Sequence, residues 1–256
     1  MDRLTTKQYW EHAWGGLKLP AVARPSPDIQ RLYDRHLPVG DDIRMMEVGC
    51  APGQFMVYFH QRFKWQTDGV EYAEDAAVAT RENLRLCQVP GTIWTEDFLK
   101  FQGPPEGFDV VFSAGFLEHF EDPQAIVSRF AAMANRLVIT TVPNLCGLNG
   151  LISRLMRPAV YRMHKHLPPK RLKLLHEAAG LETVFCGWAG GIAMSAPADP
   201  RKTPFFATHP LLGRLLNLPA SAVNRLFRWL NATAGIAPRS RLFSPTAIYI
   251  GAKRGV

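Results

Sequence analysis

The stretch Ile43-Arg44-Met45-Met46-Glu47-Val48-Gly49-Cys50-Ala51-Pro52-Gly53 decides the fold. Residues 43–49 form a largely apolar run carrying one acid, Glu47, and the run stops in a turn built from Gly49, Pro52 and Gly53. A strand buried on both faces of a parallel sheet reads this way, because helices cover both sides and no alternation with polar residues is needed. Phe55, Val57, Tyr58 and Phe59 follow within 54–63, which predicts a helix there. A strand, a glycine turn and a helix in that order let a ligand approach the backbone at the carboxyl end of the strand.

Outward from this stretch, strand and helix alternate. Residues 67–72 predict a second strand ending on Glu71, 74–87 a helix rich in alanine and leucine, and 91–94 a third strand leading into Glu96-Asp97-Phe98. Strands at 108–113 and 136–142 enclose a helix at 123–135 that Pro123 opens, and a helix at 170–179 ends on Gly180 before a sixth strand at 181–187. The last strand is 247–252. Such alternation predicts an α/β fold with right-handed crossovers, in which helices cover both faces of a parallel sheet. More than fifty residues separate the last two strands, too many for a structureless loop, so a helical cap is expected there. Val223, Leu226, Phe227 and Leu230 share one helical face, with Arg225 and Arg228 off it.

The 256 residues suit one domain, read as an N-terminal helical lid (1–40), a core (41–188), a basic cap (189–244) and the last strand (245–256). With 47% hydrophobic and 20% charged residues the chain is an ordinary globule and not a disordered one. Cys50, Cys87, Cys146 and Cys186 are far apart and form no metal or redox pair, so reduced thiols in a cytoplasmic protein are expected. No secretory signal and no membrane-spanning run is evident, although contact with a membrane surface stays open. The formal charge of +8 is uneven: residues 145–176 carry +7 and 189–243 carry +6, leaving the rest at −5. Positive charge outside the core points to a partner or to an anionic, lipid-linked acceptor. The absence of an RNA-binding signature, and the mixing of basic residues with leucine and phenylalanine, disfavour nucleic acid.

A glycine turn after the first strand and an acid ending the second suit a nucleoside-containing ligand, whose ribose hydroxyls the acid accepts. Gly49, Gly53 and Glu71 meet both requirements. The spacing Gly49-x-Ala51-x-Gly53-Gln54 lacks the third glycine of a dinucleotide site, which disfavours a nicotinamide-dependent oxidoreductase.

With Glu47 to Gly53, Gly69-Val70-Glu71-Tyr72, Glu96-Asp97-Phe98, the segment Phe112 to His119, and His166-Leu167-Pro168-Pro169 leading to Gly180-Leu181, the chain resembles the class I S-adenosylmethionine-dependent methyltransferases. Within that class it is similar to the ubiquinone-biosynthesis and bacterial glycan methyltransferases. The resemblance implies a Rossmann-like sheet of seven strands, mostly parallel with the last antiparallel, and S-adenosylmethionine as cofactor. It implies that Glu71 binds the ribose, Asp97 the adenine amino group and Tyr72 or Phe98 the adenine face. Gly49, Ala51, Gly53 and Ser113 would line the cofactor, and Glu47 would order its methionine end. Tyr72 and Phe98 could equally be core aromatics.

For an oxygen acceptor, preferred here over nitrogen and carbon, a proton must leave, and His119 is the candidate base with Glu118 beside it. Either could instead order the loop after the fourth strand. Arg162, His164 and His166 are candidate acceptor contacts, or a solvated loop. No acid or cysteine stands near these histidines in the chain, so no metal is expected. Tyr9 and Trp10, in an aromatic cluster with His12 and Trp14, could close over the cofactor and acceptor, or simply pack on the domain. A protein that binds the cofactor and acts by association without catalysis is the rival reading.

Overall fold

The computed structural model describes residues 2–13, 18–194 and 208–254. Its elements run α1 (Lys7–Ala13), α2 (Pro27–His36), β1 (Arg44–Val48), α3 (Gln54–Phe63), β2 (Gln66–Glu71), α4 (Glu74–Leu86), β3 (Ile93–Thr95), β4 (Phe108–Ala114), a 3₁₀ turn (Leu117–His119) and α5 (Pro123–Met133). They continue with β5 (Ala134–Pro143), α6 (Leu148–Met156), α7 (Pro158–Arg162), α8 (Pro169–Ala178), β6 (Leu181–Ala189), α9 (Pro210–Ala234) and β7 (Thr246–Lys253). The seven strands make one sheet in the order β3-β2-β1-β4-β5-β7-β6, with β7 antiparallel to both neighbours and every other pairing parallel. The strand order reverses direction between β1 and β4, and the crevice at such a switch point is where open α/β sheets hold ligands.

Successive side chains on a strand face opposite ways, and the two halves of the core follow that rule. Met45, Val110, Phe112, Ile139, Ile248 and Ile250 pack on one face with α2 and α3, around Tyr33, Phe59, Phe63 and Trp65. Met46, Val48, Val111, Val138 and Tyr249 pack on the other with α5 and α8, around Phe130, Leu172 and Leu175. On the second side His176 is fully buried, stacked on the Tyr249 ring at 3.9 Å. Its Nδ1–H donates to the Leu172 carbonyl at 2.8 Å, which leaves Nε2 to accept from the Thr140 hydroxyl at 2.9 Å.

Three departures from expectation have physical reasons. The chain passes from α5 into β5 at Ala134, two residues before the expected start, because Ala134 and Phe108 pair as an extra rung before a bulge. Helices α6 and α7 occupy the basic stretch after the fifth strand, to which the sequence pattern assigns no element. The third departure is in α9, whose inward residues are small or amide-bearing: Gly213 and Ala220 are buried, and Asn231 is 3% exposed. Asn224 exchanges hydrogen bonds with the Met194 backbone at 2.7 and 2.8 Å, and Asn231 donates to Asp28 at 2.8 Å. Val223, Phe227 and Leu230 are half-buried, whereas Leu226 is exposed, so the expected apolar face is split. Arg201 and Lys202 of the expected cap lie outside the described residues.

Candidate active site

At the end of β1 the chain turns at Gly49, whose φ of +69° is a conformation L side chains rarely adopt. A Cβ there would lie 2.7 Å from Phe116, so the turn needs glycine for space as well. Gly53, at φ +81°, opens α3. Beside this turn stand two buried carboxylates. Glu71, at the end of β2, accepts the Ala73 amide at 2.9 Å and is also held by the amides of Ala51 and Tyr72. Glu47, at the end of β1, accepts the Met56 amide at 3.2 Å. Burial pushes both acids up, Glu47 the more strongly, and backbone amides oppose the shift.

These groups line a pocket of about 630 Å³, its open mouth included, with Ala51, Tyr72 and Phe116 in the wall. The donor set suits S-adenosylmethionine: buried carboxylates favour ribose hydroxyls, an ammonium and a sulfonium, where a nest of amide donors would select phosphate. Two buried hydroxyls, Tyr72 Oη beside the pocket wall and Ser113 Oγ on β4, have no hydrogen-bond partner. Unsatisfied buried polar atoms are rare and call for a ligand or water.

The N-terminal segment lies across this mouth. Arg3 bridges to Phe120, the Leu4 amide donates to the His119 carbonyl at 2.8 Å, and the Glu121 amide to the Asp2 carbonyl at 3.0 Å. Arg3, Thr5 and Trp10 line the pocket, and Trp10 donates from Nε1 to Thr5 Oγ1 at 3.0 Å. The Arg3 guanidinium sits 4.7 Å from the Tyr72 ring centre and grips both oxygens of Asp97. Burial would raise the Asp97 carboxyl, but Arg3 and the Leu99 amide hold it below its ordinary value.

Against this segment, edge-on to the Trp10 ring at 5.0 Å, His119 is 5% exposed. Its Nδ1 lies 3.0 Å from the Met163 carbonyl, which can only accept, so Nδ1 carries the proton and Nε2 keeps a free lone pair. Burial and the neighbouring His164, whose ring is 4.4 Å away, push the imidazole down to about 4. Glu118 is 1% exposed, its Oε2 has no partner, and burial pushes its carboxyl up to about 8. The loop carrying His164 is held there by the Lys165 amide, 2.7 Å from the Glu118 carbonyl.

The fold therefore gathers Glu47, Gly49, Ala51, Glu71, Tyr72, Trp10 and His119 around one pocket. Gly53 and Ser113 do not line it: Gly53 opens α3 after the turn and Ser113 is buried on β4. Phe98 does not line the pocket: of its two expected places its ring takes the core, edge-on to Phe116 at 5.8 Å and against Phe130. Asp97 meets the pocket only through Arg3. Tyr9 packs edge-on to Trp10 at 5.1 Å without lining the pocket. Arg162 and His166 are exposed and outside it, with His166 on the Tyr161 ring at 4.7 Å. Trp14 and the His12 side chain lie outside the described residues. Sequence reasoning missed Arg3, Thr5, Gln54, Phe55, Phe116 and Phe120 in the wall. Adjacency to the Gly53 turn and to His119 could have flagged four of them, but nothing local marks Arg3 or Thr5.

No curated protein sequence matches the chain. Among solved structures it is similar to geranyl diphosphate C-methyltransferase from Streptomyces coelicolor, at 10% identity and TM-score 0.62, covering 98% of this chain and 100% of that one. It is also similar to magnesium protoporphyrin IX methyltransferase from Synechocystis, at 12% identity and TM-score 0.53, covering 96% and 82%. A SAM-dependent methyltransferase from Archaeoglobus fulgidus gives 19% identity and TM-score 0.54, covering 88% and 93%. At such identities these likenesses establish the fold, and the finer kinship with ubiquinone or glycan enzymes does not follow. Residues 22–184, well over half of the chain, match the family described as methyltransferase domain, so the chain belongs to that family, with S-adenosylmethionine as its cosubstrate.

Proposed function

We propose that the chain moves a methyl group from S-adenosylmethionine to an oxygen of a small-molecule, glycan or lipid-linked acceptor. The observation that carries this reading is the free Nε2 lone pair of His119 in the wall of the pocket, next to the buried Glu118 and His164. When bound, S-adenosylmethionine supplies a methyl carbon on a cationic sulfur. Glu71 would hold the ribose, Glu47 and the Gly49 turn the methionine end, and Arg3 and Trp10 would keep water from the reacting groups. Displacement of this kind depends mostly on alignment, and a hydroxyl acceptor must also lose its proton as it attacks. The cluster around His119 is the acceptor of hydrogen bonds best placed to help that loss. His119→Ala should lower kcat by about 10²–10⁴-fold while S-adenosylhomocysteine binds as before. A loss of only a few fold would reduce His119 to a loop-ordering residue and favour a nitrogen or carbon acceptor that needs no base.

An anionic lipid surface is the proposed source of the acceptor, which would make the protein membrane-peripheral. No helix among the described residues is long and apolar enough to cross a membrane. Instead α9 turns Leu211, Leu215, Leu218, Leu226 and Trp229 outward, each more than half exposed, with Arg214, Arg225 and Arg228 along one flank and no acid in the helix. An apolar stripe edged with arginine suits the headgroup boundary of an anionic bilayer. None of the residues lining the pocket belongs to α9, which favours a docking role for this helix over a place in the pocket wall.

A further inference from the structure

The chain order separates His164 from any acid, and the fold removes that separation. The loop after α7 lies on the 3₁₀ turn after β4, and one ligand atom each from Glu118, His119 and His164 come within 4.8 Å of one another. The orientation of these groups is informative. His164 Nδ1 lies 2.7 Å from the Val160 carbonyl, as His119 Nδ1 lies 3.0 Å from that of Met163. Carbonyls only accept, so both rings carry their proton on Nδ1 and both Nε2 atoms offer a lone pair. Imidazoles that bind metal are held in this way, with the distal N–H on a carbonyl or carboxylate to fix tautomer and ring angle. The third group, Glu118, has a buried Oε2 with no partner, and His119 Nε2 stands 3.9 Å from its Oε1. Two imidazole lone pairs and the Glu118 carboxyl thus converge on one point from two separate segments of the chain.

We infer that Glu118, His119 and His164 form a binding site for a divalent transition-metal ion, with an open coordination position toward the methyl-transfer pocket that His119 lines. Two imidazole nitrogens and one carboxylate match the ligand types of zinc sites that keep a fourth position open, and exclude a magnesium-type all-oxygen shell. Tetrahedral bonds of about 2.0–2.2 Å place donors roughly 3.3–3.6 Å apart, so the ion would draw the most distant of these atoms together by up to about 1.5 Å. The open position would receive the acceptor oxygen beside the methyl carbon. With the ion bound, His119 Nε2 would be a metal ligand and no longer a free base, and the ion would ease loss of the acceptor's proton to solvent instead. This assignment rests on reading the pocket as the methyl-transfer site.

Metal and cofactor binding are measured separately on the full chain, so that the two readings can fail independently. Protein freed of metal with a chelator and titrated with Zn²⁺ should take up about one equivalent per chain, and Co²⁺ in its place should give the visible absorption of a low-symmetry nitrogen and oxygen site. Glu118→Gln and His164→Gln should each weaken uptake by at least about tenfold while leaving S-adenosylhomocysteine binding intact, and His166→Ala should bind metal like the wild type. Retained cofactor binding shows that a variant has folded. Failure of the folded wild type to bind either ion, or equal uptake by all variants, would overturn the metal site and leave the cofactor pocket untouched. Metal uptake without cofactor binding would overturn the methyl-transfer reading alone.

Discussion

Two buried residues make opposite electrostatic demands. Glu71 is 5% exposed, is oriented by the amides of Ala73, Ala51 and Tyr72, and lines the pocket. In His176 both ring nitrogens are used and Tyr249 covers its face. Burial pushes it down to about 4 from an ordinary value of 6.5. Its folded value lies below its unfolded one, so the neutral ring costs nothing above about pH 6.5 and stability falls as pH drops from there toward 4. The full difference is about 3 kcal/mol. The melting temperature of the wild type should therefore fall more steeply between pH 7 and 5 than that of His176→Gln, whose amide cannot be protonated in this range. Parallel curves for the two proteins would show that His176 is not the acid-sensitive group.

Among the elements, α9 behaves least like its sequence. An apolar helical face is normally turned to the core, but here small residues and asparagines permit close approach to α2 and to the backbone at Met194. All its leucines but the half-buried Leu230 are left outside. Periodicity alone could not have shown this, because the helix carries apolar residues around much of its circumference and the deciding hydrogen bonds reach residues 30 and 203 positions away. If the outward stripe docks on lipid, the protein should sediment with vesicles of phosphatidylglycerol and much less with phosphatidylcholine. Replacing Arg214, Arg225 and Arg228 by Gln should abolish that preference, and salt should weaken wild-type binding because exposed charges are screened over about 8–10 Å. Equal sedimentation of wild type and variant at every salt concentration would remove the lipid surface as partner.

Across the whole molecule, what was legible in the sequence is what is local. The β1 turn, the acid ending β2 and the strand and helix alternation need only neighbouring residues, and each lies within about two residues of its expected place. Groups assembled from distant segments were not legible: Arg3 meets Asp97 across 94 positions, and the Met163 carbonyl meets His119 across 44. These contacts follow from the switch between β1 and β4, which gathers the N-terminal segment, the turn after β4 and the loop after α7 at one end of the sheet. Cofactor binding at that end is the central claim, and calorimetric titration of the wild type and Glu71→Ala with S-adenosylhomocysteine tests it most directly. The wild type is expected to bind, and the variant, still folded, to bind about 10- to 100-fold more weakly, as loss of charge-assisted hydrogen bonds to ribose requires. No binding by the folded wild type, or equal affinity for both proteins, would contradict it.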